Sequence, residues 1–160
     1  MAPRLAVRLT NEALWTASRP RGEQAESGSK KRILVVEDDA QSREVYSALL
    51  SEAGYQVDQA ENALAAICSI VRAAPDLVLA DIRMPIVDGN ALVRELKTHR
   101  DSRQVPIVAL TGHDSPEMRR SAIEAGYDGY ITKPIDPQRF PEQIAKFLGE
   151  AQAKHAARAA

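Results

Sequence analysis

From Arg32 onward, short apolar runs of strand length alternate with longer segments whose apolar residues recur at helical spacing. The five runs that carry the strand signal lie at 32–36, 56–60, 77–80, 106–110 and 129–132. The segments between them open at capping signals such as Asn62, or Ser115 followed by Pro116. This alternation predicts an α/β fold in which parallel strands are joined by helical crossovers.

The apolar character of the runs also predicts the order of the strands. The first, third and fourth runs, ILVV, LVLA and IVAL, are the most uniformly apolar and should lie centrally, with both faces covered. We therefore expect a doubly wound five-stranded parallel sheet with five helices, the last ending near Leu148. The helix residues predicted to face this sheet are Val45, Leu49 and Leu50, then Leu64, Ile67 and Val71, then Leu92, Val93 and Leu96, then Met118, Ala122 and Ile123.

Polar residues follow four of the five predicted strands. Glu37 and Asp38 follow the first, Asp81 the third, Thr111 the fourth and Lys133 the fifth. The functional crevice of an open α/β sheet lies beyond the carboxyl ends of its strands, where the strand order reverses. We therefore expect these side chains to share one crevice.

The chemistry of such a crevice follows from its residue types. Crowded carboxylates repel one another unless a cation neutralises them, and Glu37 and Asp38 offer the hard oxygen ligands that Mg²⁺ prefers. A carboxylate can attack phosphorus and form an aspartyl-phosphate, whose charge a divalent cation, an ammonium and a hydroxyl stabilise. The residues thus predict Asp81 as the nucleophile, with Lys133 and the Thr111 hydroxyl contacting the phosphoryl group.

Four stretches, RILVVEDD, PDLVLADIRMPIVDG, VPIVALTG and AGYDGYITKP, occur in this order along the chain. Together they resemble the receiver domain of two-component response regulators. The resemblance places a receiver domain at residues 32–149 and implies a flavodoxin-like, CheY-like arrangement of the sheet. It also implies a cis peptide between Lys133 and Pro134.

The same resemblance implies partners and a metal site. Asp81 would accept phosphate from the histidine of a sensor histidine kinase or of a histidine phosphotransfer protein. The cofactor would be Mg²⁺. Its protein ligands would be Glu37, Asp38, Asp81 and the backbone carbonyl of Arg83.

A switch and an output surface are implied as well. Thr111 and Tyr130 would form the switch pair, in which the hydroxyl moves to the phosphoryl group and the aromatic ring turns inward. The fourth helix, the fifth strand and the fifth helix would form the face that binds a downstream protein. The chain would therefore be a phosphoacceptor signalling protein with its own Mg²⁺-dependent phosphorylation and dephosphorylation, and not an enzyme with a separate substrate.

Several of these residues have simpler interpretations that the sequence leaves open. Tyr130 could only pack on the strand, and Thr111 could only be the hydroxyl that precedes a helix. Asp39 is better explained as the cap of the first helix than as a metal ligand. Cys68 is best explained as a small core residue. Asp88 is better explained as part of a turn into the third helix than as a ligand.

The flanking segments are interpreted from their composition. Residues 1–32 hold seven Lys and Arg against three Glu, whereas the chain from Ile33 onward holds 14 basic and 19 acidic residues. We predict a flexible basic extension at residues 1–31, a short Ala-rich tail at 150–160, and a mildly acidic body that does not bind nucleic acid. The sequence lacks the roughly 18 consecutive apolar residues of a membrane span and a secretory signal core, so we expect no membrane insertion and a cytoplasmic location.

Two functions fit the predicted pocket. In the first, a single-domain response regulator switches its output face after phosphorylation and binds a target protein, because too few residues follow the last helix for an output domain. In the second, the domain is a phosphorelay shuttle or a phosphate sink that passes the phosphoryl group to a second histidine. A phosphohydrolase is disfavoured because Arg83 stands two residues after Asp81, where a second carboxylate would act as the general acid.

Overall fold

The structure, a computed structural model, describes residues 29–83, 89–99 and 102–159. Five parallel strands form one sheet in the order β2-β1-β3-β4-β5. The strands are β1 (Arg32–Val36), β2 (Gln56–Ala60), β3 (Leu77–Asp81), β4 (Ile107–Thr111) and β5 (Gly129–Thr132). The predicted doubly wound sheet is confirmed, and the three most apolar strands are the central ones, with every residue of β3 and β4 buried.

Within the described residues, five helices connect or follow the strands, as predicted. They are α1 (Ala40–Glu52), α2 (Ala63–Arg72), α3 (Gly89–Thr98), α4 (Pro116–Ala125) and α5 (Phe140–Ala159). The expected caps of α1, α2 and α4 are present, since the side chains of Asp39, Asn62 and Ser115 accept from the backbone N–H three residues on. Helix α4 is capped at its carboxyl end by Gly126, whose φ of 107° suits a residue without a Cβ.

Two hydrophobic clusters cover the two faces of the sheet. Alternate residues of β3 point to opposite sides, so Leu77 and Leu79 belong to one cluster and Val78 and Ala80 to the other. The cluster of Leu77 and Leu79 also contains Phe140 and residues of α1 and α5, while the opposite cluster contains residues of α2, α3 and α4. The central strands are therefore covered on both faces and deliver their last residues to a fixed position.

The predicted buried faces are right for α3 and partly wrong for α1, α2 and α4. Leu92, Val93 and Leu96 are buried as expected, but Val45, Leu64 and Ile123 are 51%, 62% and 68% exposed. Small side chains decide the outcome in α2, which turns Ala63, Ala66, Ser69 and Ile70 toward the sheet. Apolar spacing alone cannot separate this face from the adjacent one.

Cys68 is exposed, so its interpretation as a core residue is wrong. It lies on the outward side of α2, next to Ser69, which is buried. The helix packs its small residues against the sheet and leaves Cys68 on the solvent side.

The last helix is longer than the sequence predicts. A turn at residues 137–139 precedes it, and α5 then continues past Leu148 to Ala159. The segment predicted as a tail is therefore mostly helical. Its Ala, Gln, Lys and Arg residues favour helix strongly enough to outweigh the cost of Gly149.

Residues 1–28 of the predicted basic extension lie outside the described part of the chain, as does Asp88. Within residues 29–83, 89–99 and 102–159, no helix combines the length and the apolar character that crossing a membrane would need.

Gly129 in β5 allows α5 to pack closely on the sheet. A Cβ at this position would overlap Cε1 of Phe147, far inside van der Waals contact. We expect Gly129→Ala to displace the Phe147 ring and lower the free energy of unfolding by about 1–3 kcal/mol. Urea denaturation followed by circular dichroism measures the change.

Gly149 supplies the matched control, because a Cβ there would meet no heavy atom within 4 Å. Gly149→Ala should raise the stability by roughly 0.5–1 kcal/mol, since alanine favours helix over glycine. Adding Gly129→Ala to Phe147→Ala should cost little beyond Phe147→Ala alone. A large extra loss in the double variant would show that the ring is not the obstacle.

Candidate functional site

The carboxyl ends of four neighbouring strands, β1, β3, β4 and β5, bring the predicted site residues together. Glu37 follows β1 and Asp81 ends β3. Thr111 ends β4 and Lys133 follows β5, and the Lys133 N–H donates to the Thr111 carbonyl at 2.7 Å. β1 and β3 are adjacent in the sheet, so Glu37 and Asp81 lie side by side. Neighbouring parallel strands thus assemble a site from residues that are far apart in the sequence.

Lys133 joins the two buried carboxylates of this site. Its Nζ lies 3.0 Å from Oε2 of Glu37 and 3.3 Å from Oδ2 of Asp81. The Glu37 side chain is 2% exposed and that of Asp81 is 10% exposed, so neither charge is well solvated by water. The ammonium is the described group that offsets the charge of Asp81 at the end of an apolar strand.

For both Glu37 and Lys133, burial and their mutual contact shift the pKa in opposite directions. Burial raises the pKa of Glu37 to about 7, although the Lys133 hydrogen bond lowers it and the nearby Asp81 charge raises it further. Burial by itself would lower the pKa of Lys133. The hydrogen bond to Glu37 and the charge of Asp81 outweigh that effect and raise the Lys133 pKa above its usual range. The ammonium therefore stays charged in the pocket.

Glu37, Asp38 and Asp81 form an acidic cluster. One carboxylate oxygen from each residue lies within 4.8 Å of the others, and Asp38 is exposed while the other two are buried. Such a set of hard oxygen ligands fits a divalent cation such as Mg²⁺, which keeps several of its waters and needs a side open to solvent. The donor set therefore suits the cofactor that the sequence predicts.

Main-chain contacts fix the loops that carry these acids. The Arg43 guanidinium, on the first turns of α1, donates to the carbonyl oxygen of Glu37 at 2.7 Å. The Arg83 N–H donates to Oδ1 of Asp81 at 3.0 Å, and its side chain is exposed. The contact that the structure shows for Arg83 is thus its amide, whereas the predicted role of its carbonyl as a metal ligand stays a prediction.

Among the hydrogen bonds of the described residues, none joins the side chain of Thr111 or Tyr130 to Asp81. The Thr111 hydroxyl donates to the His113 carbonyl at 2.9 Å and accepts from the His113 N–H at 3.2 Å. Tyr130 is half-buried against the cluster of Leu34 and Val78, and the Arg119 guanidinium lies over its ring. The implied cis peptide between Lys133 and Pro134 is present.

Sequence reasoning missed two arginines at this site. Arg43 stands four residues after the helix cap Asp39, a position from which a long side chain can reach back to the preceding loop, so spacing could have indicated it. Arg119 lies five residues after its ion-pair partner Asp114. Only the three-dimensional placement of β5 beside α4 brings Arg119 over Tyr130.

Comparison with known proteins places this geometry in a family. The family model described as the response regulator receiver domain matches residues 33–145. The chain belongs to this family. Receiver domains act in two-component signalling, where they interact with histidine kinases or phosphotransfer proteins.

Both curated relatives and solved structures are similar to the chain. The sensor protein GacS of Pseudomonas syringae is 32% identical over 153 residues, which are 91% of this chain and 17% of that protein. The phosphate regulon transcriptional regulatory protein PhoB of Pseudomonas aeruginosa is 36% identical over 118 residues, which cover 74% of this chain and 52% of that protein. The chain thus spans at most about half the length of these two relatives.

A solved receiver domain of the sensor histidine kinase PA1611 from Pseudomonas aeruginosa has a TM-score of 0.69 and 30% identity. The match covers 76% of this chain and 99% of that one, whose structure has a magnesium ion coordinated in the active site cleft.

Two neighbouring aspartates allow the predicted metal binding and helix capping to be tested separately. Asp38 contributes an exposed carboxylate to the acidic cluster, whereas the Asp39 carboxylate accepts from the Ser42 N–H at 2.7 Å. We expect Mg²⁺ to raise the melting temperature of the wild type, and Asp38→Ala to weaken this effect at least about tenfold in the Mg²⁺ concentration required. Thermal melts over a Mg²⁺ series provide the measurement.

Asp39→Ala is the control for that experiment. It should lower the melting temperature at every Mg²⁺ concentration, because the cap of α1 is lost, while the Mg²⁺-induced increase remains. An unchanged Mg²⁺ response in Asp38→Ala, or its loss in Asp39→Ala, would contradict the assignment.

Proposed function

We propose that Asp81 is the phosphoryl acceptor of this receiver domain. The observation that supports this most is the position of the carboxylate: it ends a fully buried central strand, and its Oδ2 lies 3.3 Å from the Lys133 ammonium. In the reaction, an Asp81 oxygen attacks the phosphorus of a phosphohistidine. The new O–P bond forms as the N–P bond breaks, and the imidazole leaves.

The residues around Asp81 would bind the metal ion and stabilise the charge of the phosphoryl group. Glu37, Asp38, Asp81 and the Arg83 carbonyl would hold Mg²⁺, which, when bound, supplies positive charge next to the phosphoryl oxygens. The Lys133 ammonium is already beside Asp81 and can contact the same oxygens as a point charge. The catalytic contribution of the chain is therefore positioning and charge stabilisation.

We propose further that Thr111 and Tyr130 convert phosphorylation into a change of surface. The Thr111 hydroxyl is bonded to the His113 main chain and would exchange those bonds for one to the phosphoryl group. Tyr130 lies in β5, next to β4, and would turn inward when Thr111 moves. The surface formed by α4, β5 and α5 would then bind a downstream protein.

The phosphorelay shuttle remains the second candidate. It is favoured by the similarity of the chain to two proteins whose names identify them as sensor proteins, GacS and the PA1611 kinase. A receiver associated with a kinase can serve as one transfer step between histidines. In that role the phosphoryl group would leave Asp81 for a second histidine.

Replacement of the acceptor tests the first proposal. Asp81→Asn retains the size and shape of the side chain but replaces the nucleophilic carboxylate by a neutral amide, so we expect incorporation of labelled phosphate from acetyl phosphate or a phosphohistidine donor to fall below detection. Asp58→Asn is a matched control, because that carboxylate pairs with Arg32 in the sheet, away from the crevice, and should leave labelling intact. Normal labelling of Asp81→Asn would refute the assignment.

A chase experiment distinguishes the switch from the shuttle. Purified phosphorylated protein is mixed with an excess of unphosphorylated histidine phosphotransfer protein, and the label on both is followed over time. A shuttle transfers the label to the histidine faster than it releases inorganic phosphate. A switch keeps the label or loses it only to water.

A further inference from the structure

Arg119 connects the two residues of the proposed switch. Its guanidinium carbon lies 5.3 Å from the centroid of the Tyr130 ring, a distance typical of cation–π contact. The same guanidinium bonds both oxygens of Asp114, with Nε 2.5 Å from Oδ1 and Nη2 2.6 Å from Oδ2. This forked contact fixes the plane of the guanidinium as well as its position.

Asp114 belongs to the loop that follows Thr111, the last residue of β4. The preceding residue, His113, bonds the Thr111 hydroxyl through both its N–H and its carbonyl. A continuous series of contacts therefore leads from the Thr111 hydroxyl through the loop to Asp114, from there to Arg119, and from Arg119 to the Tyr130 ring.

We propose that Arg119 is a positioning residue that holds Tyr130 in the orientation seen here, and that Asp114 makes this hold depend on Thr111. Asp114, Arg119 and the Tyr130 ring together are called the Arg119 clamp. The proposal rests on the proposed function, because it assumes that Thr111 leaves the His113 main chain when Asp81 is phosphorylated. That departure moves the loop, takes Asp114 away from Arg119 and frees the ring to turn inward.

The strength of the clamp suits this role. The side chains of Arg119 and Asp114 are 48% and 39% exposed, so solvent screens their attraction and their pair is easily reversed. The ring is half-buried, so removing the guanidinium changes its surroundings without opening the core. The clamp therefore biases the switch without locking it.

Arg120 provides a control on the same helix. It has the same charge and is exposed like Arg119, but it makes no ion pair or ring contact with any residue of the described segments. Replacing it changes the charge of α4 by the same amount as replacing Arg119. A difference between the two variants therefore reports the clamp and not the net charge.

Fluorine NMR of protein labelled with 3-fluorotyrosine measures the orientation of Tyr130. The chain has four tyrosines, and the signal of Tyr130 is identified as the one missing in Tyr130→Phe. In the unphosphorylated protein, we expect Arg119→Ala and Asp114→Asn to shift this signal in the same direction. Arg119→Lys keeps a cation over the ring and should leave the signal close to its wild-type position. Arg120→Ala should leave the signal in place. Beryllofluoride with Mg²⁺, an analogue of the phosphoryl group, should shift the wild-type signal in that direction too.

The rate of phosphorylation provides a second readout that a merely structural ion pair would not change. Arg119→Ala should accept phosphate from acetyl phosphate roughly two- to fivefold faster than Arg120→Ala, in line with the small effect of an exposed pair. The proposal is overturned if the Tyr130 signals of Arg119→Ala and Asp114→Asn coincide with that of Arg120→Ala. If beryllofluoride leaves the wild-type signal unmoved, the proposed switch is wrong, whereas the difference between the two arginine variants still decides whether Arg119 positions the ring.

Discussion

The contact of the Lys133 ammonium with two buried carboxylates is the interaction on which the site depends. Glu37 and Asp81 are both largely withdrawn from water, and each would be costly to bury without a cation in contact. Lys133 lies 96 positions after Glu37 in the sequence. Its position thus couples the assembly of the whole sheet to the chemistry at one carboxylate.

The parallel sheet explains why these residues meet. All five strands run in one direction, so their carboxyl ends lie along one edge, and β3 and β4 at its centre are fully buried. The loops after β1, β3 and β4 then need only local contacts to orient their side chains. Arg43 fixes the first loop, the Arg83 amide contacts Asp81 in the second, and Thr111 and His113 bond each other in the third.

The sequence predicts the strands, their central order and the members of the acidic cluster because these depend on local patterns and on a general rule about strand ends. It fails where the outcome depends on which of two neighbouring helix faces meets the sheet. Val45 and Leu64 are exposed because the adjacent residues Tyr46 and Ala63 take the buried positions. The contact of Arg119 with Tyr130 is also beyond sequence reasoning, because it joins a helix and a strand whose relative placement only the folded sheet defines.

The central claim is that one carboxylate, Asp81, carries the phosphoryl group. Borohydride reduces an acyl phosphate to an alcohol, so treatment of the phosphorylated protein followed by peptide mass analysis marks the acceptor directly. Reduction should appear at Asp81 alone, and only in samples that received both Mg²⁺ and the phosphoryl donor. Reduction at Glu37 or Asp38, with Asp81 unchanged, would contradict the assignment of roles in the pocket.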